Sequence, residues 1–521
     1  MLHGRMIRPP VAGAIPTAVD EASVKDIPGV QVVRQKGFIG VVAPKEWDAI
    51  RAAQKLKVTW SDAKPPFPGN AGLYDYIRNA KYVKHDEEKK VGDVEAAFAN
   101  AAKVVEATYE WPFQSHAGMA PACGVADVRN GEATVWTGSQ KAHYCAQGVA
   151  KMLDLPIDKV KAVQMIGPGS YGRNDAGDAV MDAAVLSKAV GKPVRVQGMR
   201  YEGHGWDPKA PASIHVSRAA VDKDGKVTAW HFASKAFSKR DTLNNEGDPE
   251  HTLAGQLLDW PLKPVHLFGH PDESYGFAAM LKTSGTIPPL LDRASPLRSA
   301  HMRDPGGPQT HFAVESFMDE VALATNTDPV EFRLRYLTEP RDIALIKAAA
   351  EKAGWQPHVG ARKQARGDVL IGQGISYAAR GGTRVAMIAE VEVNRSTGKV
   401  WARRFTVAHD CGQIIAPDLL RLTIEGNIVQ STSRSLWEEV RFDDKSVTST
   451  DWKTYPIVDM TEAPETIDII LIDRPELAPT GAGEASSRPT AGALANAIFD
   501  ATGIRLRQAP FTPERLKAGL A

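Results

Sequence analysis

Between residues 103 and 198 the sequence alternates in a way that few folds accommodate. "KVVEATYEWPF" places apolar side chains at every second position, the period of a half-buried strand. "ATVWTG" reads as another strand, and "HYCAQGVAKMLD" changes to helical spacing. "VKAVQMIGP" is again strand-like, a glycine-rich turn follows, and "AVMDAAVLSKAVG" and "PVRVQGMR" add a helix and a strand. Strands and helices in alternation, joined by short turns, predict a mixed α/β or α+β fold with helices packed on a sheet. Residues 29–60 form a smaller unit of the same kind, with Trp47, Ile50 and Ala53 on one helical face. The Pro- and Gly-rich run at 61–72 reads as a linker. Residues 206–290 show no sustained period and read as mostly long loops, with strands around 212–235. Downstream, "PQTHFAVESFMDEVALAT" is a strong helix, and Pro329 opens another after Asp328. Ser396-Thr397-Gly398 marks a hairpin. The helix "EGNIVQSTSRSLWEE" and the strand "TIDIILID" lead to a loop, "PTGAGEASSR", that sets a lone acid, Glu484, among glycines just before an apolar helix. The expected division is 1–62, 63–330 and 331–521, in line with a prior of about 150 residues per domain.

Composition removes several classes of function. Hydrophobic residues make up 43% and charged residues 24%, as in ordinary globular proteins, and the net charge is +1. Basic and acidic residues are mixed, so no basic stripe points to nucleic acid. No apolar run reaches the ~18 residues of a membrane span. The N-terminus lacks the apolar core of a signal peptide and reads as a strand already under way. The three cysteines, Cys123, Cys145 and Cys411, argue against a disulfide framework. They also fall short of the four thiolates of a [2Fe–2S] cluster. No metal-ligating cluster is expected from this chain's side chains.

Five stretches could carry chemistry. In "IGPGSYGRNDAGD" a strand enters and a helix leaves, so backbone N–H groups could face an anion. An ordinary tight turn explains it equally well. Gly167, Gly169 and Gly172 fit the G-x-G-x-x-G spacing of a dinucleotide site, but Asp175 and Asp178 would set like charge beside a pyrophosphate. Gln140, in "WTGSQKAH", sits where strand gives way to helix and can donate to a ligand or cap local backbone. "LRSAHMRDPGGPQTHF" offers Arg298, His301, Arg303 and Asp304, either to orient a substrate carbonyl or as surface ion pairs. His409, Asp410 and Cys411 suggest a metal site, but neighbours on a strand face opposite sides. Glu484 could approach a reacting centre past its glycines, or simply face solvent.

Taken together and in this order, the pieces resemble the molybdenum-binding large subunit of the xanthine dehydrogenase/aldehyde oxidase family, closest to the branch typified by the isoquinoline 1-oxidoreductase beta subunit. "MLHGRMIRPPVAGA" and "VVAPKEWDAIRAAQKLKVTW" resemble the small hammerhead-like domain. "WTGSQ", "GPGSYGR", "TDPVEFRLRYL", "IEGNIVQ" and "GAGE…AGALANAIFDATGIRLRQAPFTPERL" resemble the molybdopterin-binding domains. The resemblance implies a molybdenum–molybdopterin cofactor in its cytosine dinucleotide form, which hydroxylates an N-heteroaromatic or aldehyde with oxygen from water. Electrons would pass to [2Fe–2S] clusters on a small iron–sulfur subunit, with a flavin or cytochrome partner beyond. It makes Glu484 the general base beside the molybdenum and Gln140 the donor to its apical oxygen. Gly169, Ser170, Tyr171 and Gly172 become the loop facing that oxygen, Arg303 a substrate-orienting arginine, and Gln430 a pterin-side contact. Gly481 and Gly483 frame the base.

Two departures qualify the likeness. Relatives carry further residues upstream, including a Gly-Gln-Gly pterin loop. Here Gly372-Gln373-Gly374 stands in the other half of the chain, at a strand entry. A chain incomplete at its N-terminus, or half of a split subunit that complements another polypeptide, is therefore the alternative expectation, and any export signal would lie upstream. "HAGMAP" also puts Ala120 where relatives have a carboxylate.

Overall fold

A computed structural model describes residues 1–167, 169–173, 176–243, 245–262 and 266–520. Pro168, Asn174 and Asp175 of the glycine-rich turn lie outside the described residues. Three large sheets organise the chain, and the fold is mixed α/β.

The alternating region builds a seven-stranded sheet. Its order is Val160–Gln164, Glu132–Thr137, Cys123–Arg129, Val194–Gln197, Leu2–Met6, Phe38–Ala43 and Gln31–Gln35. Leu2–Met6 pairs parallel with Val194–Gln197 and antiparallel with Phe38–Ala43, so the first strand joins the two halves of the sheet. The helices Ala142–Leu153 and Ala176–Val190 bury Cys145, Val149, Met181 and Leu186 against it.

The second sheet runs Lys84–Val91, Ala279–Ile287, Val227–Phe237, Ser213–Val221 and Lys103–Trp111. Ala279–Ile287 corrects the expectation of loops through 206–290. It is covered on nearly every residue, Lys282, Thr283 and Ser284 included, and a strand buried on both faces shows no alternation to read.

The third sheet carries Gln364–Arg366, Val369–Arg380, Thr383–Asn394, Val400–Asp410 and Thr466–Leu471. The hairpin expected at 396–398 joins Thr383–Asn394 to Val400–Asp410 in antiparallel register. Between the second and third sheets lies the helix Gly307–Ala324, of which 15 of 18 residues are buried. Its Glu315 is fully buried and accepts from Arg333 Nε at 2.9 Å, while Arg333 Nη1 donates to Asp319 at 2.7 Å. Arg333 belongs to the helix Pro329–Tyr336, which is capped as its sequence predicts, Asp328 accepting from the N–H groups of Val330 and Glu331.

The helix Thr490–Thr502 lies against the strand Val369–Arg380. Gly372 and Gly374 make that possible: a Cβ on Gly374 would stand 2.1 Å from Ala497 N, and one on Gly372 2.3 Å from Ala497 O. The Gly-Gln-Gly run is thus a packing device of this sheet. It brings two segments distant in sequence side by side: the loop ahead of the helix, which carries Glu484, and the end of the strand, which carries Arg380.

Candidate functional site

Four loops, each leading into a helix, meet through hydrogen bonds. The first is 138–141, after the strand Glu132–Thr137. Ser139 Oγ donates to the buried Glu246 carboxylate at 2.9 Å and anchors the turn. Gln140 is left exposed, and its Nε2 donates to Ser170 Oγ in the glycine-rich turn. It makes no cap on the helix Ala142–Leu153, so the local capping alternative falls.

The second loop, 165–173, is shaped by its glycines. Gly172 has φ +134°, and a Cβ there would stand 2.1 Å from His301 O. Only glycine lets this turn pair with the third loop, through Gly172 and Met302 and through the Arg173 N–H to His301 O at 3.0 Å. Tyr171 has φ +50° and remains exposed. A Cβ on Gly169 would meet nothing within 4 Å. Arg173 is buried and braces the turn from beneath, donating to Asn245 O at 2.9 Å and to His251 O at 2.6 Å.

The third loop is 299–306. The Arg303 N–H donates to Tyr171 O, and Arg303 Nε donates to Gly483 O at 3.0 Å. One residue therefore ties the glycine turn to the Glu484 loop. Burial lowers the Arg303 guanidinium from its ordinary pKa, with Glu484 acting in the opposite sense. Arg298 plays a different part. It is buried, with Nη2 on Asp178 and Nη1 on Trp206 O, and is a strut remote from any open surface. Burial pushes His116 down to about 4 and His301 to about 3, so both rings are neutral near pH 7. His116 stands 2.8 Å from Pro208 O and 2.8 Å from His301 O, and a neutral ring donates to one of them.

The fourth loop, 479–488, holds Glu484. Asn427 Nδ2 donates to Gly483 O at 3.2 Å. The Glu484 carboxylate accepts from Arg380 Nη2, and its side chain is 29% exposed. The loop that carries it is tied to the turn at 169–172 through Arg303. Gln430, on the helix Pro417–Leu436, is half-buried, and among the described residues its Oε1 has no hydrogen-bond partner. His409, Asp410 and Cys411 do not converge: Arg341 and Arg474 take the Asp410 carboxylate. Among the described residues no three His, Cys, Asp or Glu side chains stand together as metal ligands.

A cavity of about 550 Å³ opens beside the cluster between Gly138 and Gly167, walled by Ala120, Cys123, Trp136 and Ile166. The residues fit a large anionic cofactor. The glycine backbone at 169, 481 and 483 has no atom within 4 Å of an added Cβ. The donors supplied are an amide, hydroxyls and a guanidinium, and Gln430 Oε1 and Ser486 Oγ are buried without a partner among the described residues. Sequence reasoning missed Arg380 and Asn427. A polar residue inside a buried helix face was the one available signal for Asn427, and Arg380 gave none.

Such a fold, with loops that leave room for a pterin, is that of molybdopterin-binding domains. Two family descriptions, both reading molybdopterin cofactor-binding domain, match residues 77–236 and 348–464. The chain belongs to the molybdenum-binding large subunits of the xanthine dehydrogenase/aldehyde oxidase family. It is 39% identical to a subunit of nicotinate dehydrogenase from Pseudomonas putida, across 100% of this chain and 44% of that one. It is 26% identical to the beta subunit of isoquinoline 1-oxidoreductase from Brevundimonas diminuta, across 98% of this chain and 64% of that one. It thus spans between two fifths and two thirds of these relatives. In fold it resembles quinoline 2-oxidoreductase from Pseudomonas putida 86, with a TM-score of 0.82 at 16% identity, covering 100% of this chain and 94% of that chain. Aldehyde oxidoreductase from Desulfovibrio gigas gives 0.81 at 17% identity, covering 100% and 77%.

Proposed function

We propose that this chain supplies the base-bearing part of a molybdenum hydroxylase. Its substrate would be an N-heteroaromatic or an aldehyde, oxidised with oxygen from water. The cofactor would be molybdopterin in its cytosine dinucleotide form, and electrons would leave to an iron–sulfur partner. The observation that carries this reading is the hydrogen-bonded chain from Gln140 through Ser170, Tyr171 and Arg303 to the Glu484 loop.

When bound, the cofactor supplies the oxygen transfer and accepts the two electrons, and the protein supplies placement and proton handling. On this reading a Glu484 carboxylate oxygen would accept the proton released as oxygen adds to the substrate carbon. Gln140 Nε2, held beside the glycine turn through Ser170 Oγ, would be a donor fixed before the reaction, which is where such donors act best. Arg303 carries a partly buried cation beside Glu484 and can orient a carbonyl or ring nitrogen.

The test is the protein purified with its partner subunits. Glu484→Gln should keep molybdenum and pterin content at parent levels and lower turnover at least ~100-fold, the scale of positioned acid–base catalysis. Retained turnover removes Glu484 from the reaction. A second reading, a half that completes its site with another polypeptide, draws support from the open space around Gly481 and Gly483. In that case the chain purified alone holds no stoichiometric molybdenum, and adding the partner polypeptide restores it.

A further inference from the structure

Packing holds the Glu484 loop on its far side, where Ala485, Ser486 and Ser487 are buried and Ala482 lies against the core, but not at its two glycines. With nothing within 4 Å of an added Cβ on Gly481 or Gly483, no neighbour presses on the loop at either glycine. The tethers of the Gly483 carbonyl and of the Glu484 carboxylate are polar. Arg303 Nε and Asn427 Nδ2 grip the Gly483 carbonyl, which fixes backbone. Arg380 Nη2 grips the Glu484 carboxylate itself.

Arg380 is anchored where it can do this. It ends the strand Val369–Arg380, and its Nε donates to Asp304 Oδ1 at 2.9 Å. Asp304 is fully buried and sits at φ +57°. Its two oxygens also take Arg488 Nε, at 2.9 and 3.0 Å, and Arg488 Nη1 donates to Ala379 O at 2.7 Å. One edge of the Arg380 fork is thus fixed by a buried, doubly paired carboxylate. The other edge is offered to Glu484. A planar guanidinium can span two acids in this way, and an ammonium, a single point of charge, spans them poorly.

We propose that Arg380 is a positioning residue that sets where the Glu484 carboxylate stands, braced through Asp304 by Arg488. The inference rests on the reading of Glu484 as the base. Arg380 acts through that carboxylate and not on the substrate. The two side chains are 34% and 29% exposed, so the contact is exchangeable. The carboxylate can leave the guanidinium to take a proton and return to it.

The experiment compares R380M, R380K and E484Q with the parent in the assembled, cofactor-loaded protein. R380M should retain cofactor and lower kcat by roughly 10- to 100-fold with KM changed less than about twofold, because a misplaced base slows the chemical step and leaves binding alone. R380K should recover part of that loss. A second readout needs no turnover. In this chain without cofactor, amide hydrogen exchange across residues 481–486 should quicken in R380M, while exchange in the strand Thr383–Asn394 stays as in the parent. Parent kcat in R380M alongside an inactive E484Q overturns the inference and leaves the base assignment standing. Turnover in E484Q overturns both. A raised KM with unchanged kcat would make Arg380 a substrate contact and likewise refute the proposal, as would unchanged exchange across 481–486.

Discussion

Gly374→Ala tests whether the closeness of one helix to one strand holds the site in place. The added Cβ would stand 2.1 Å from Ala497 N, 2.4 Å from Ala493 O and 2.6 Å from Asn496 C, against the roughly 3.4 Å of ordinary contact. All three atoms are helix backbone, so no side chain can rotate out of the way. The helix Thr490–Thr502 must retreat by about 1.3 Å, the difference between 3.4 and 2.1 Å. Retreat stretches the Asn496 Nδ2 bonds to Glu315 O and Ile375 O, now 3.1 and 2.9 Å. Overpacking of this kind costs about 1–3 kcal/mol. At roughly 2–4 °C per kcal/mol for a large domain, the melting temperature should fall by about 2–12 °C. The assay is thermal unfolding of parent and variant at one scan rate, since a chain of this size can unfold irreversibly. Gly483→Ala is the control, with nothing within 4 Å of its new Cβ, and should change stability by less than about 0.5 kcal/mol. A G374A protein that melts within about 1 °C of the parent would refute the packing argument.

Two further outcomes follow from buried charge. Arg333→Met strips the partner from Glu315 and Asp319, both buried. It should lower stability by about 3–5 kcal/mol in chemical denaturation, and a loss below about 1 kcal/mol would contradict the pairing. Burial alone would raise the Asp500 carboxyl, but hydrogen bonds from His358, Arg362 and the Gln373 N–H outweigh it and hold the group at about 2. A folded value below the unfolded one means a stabilisation fully present above pH ~4 and lost as pH falls toward about 2. Asp500→Asn should therefore cost on the order of 2 kcal/mol at pH ~7 and progressively less as pH falls from about 4 toward about 2. A difference that does not change with pH would refute it.

Much of this arrangement was legible in the residues, for reasons that can be named. Strands with one covered face, such as Glu132–Thr137, alternate and announce themselves. Ala279–Ile287, buried on both faces, carries lysine, threonine and serine inward and does not. Local chemistry was readable at Asp328-Pro329, where the cap and the first helical residue are adjacent. The two glycines of 372–374 were visible, but their purpose was not, because the backbone they admit lies far downstream in the helix Thr490–Thr502. Arg380 was invisible for the same reason. Nothing in "AARGG" says that its partners are Asp304 and Glu484, and only the pairing of strand and helix puts them within reach.

That distribution of signals follows from what each part must do. Backbone that must not move is held by close packing, and glycines at 372, 374 and 172 let main chain meet main chain at distances no side chain tolerates. The base proposed at Glu484 would have to change partners during each turnover, so it could not be held in the same way. Ala485, Ser486 and Ser487 are buried just after Glu484, but the glycines at 481 and 483 face open space; hydrogen bonds from Thr383, Arg303 and Asn427 reach the backbone there, and one from Arg380 reaches the carboxylate. A partly exposed ion pair contributes at most about 1 kcal/mol, enough to bias one position of the carboxylate several-fold and too little to trap it. The rigid half of the site is written in short glycine motifs. The movable half is written in lone polar residues drawn together from distant parts of the chain, and it is there that substitutions should alter rate while leaving stability nearly untouched.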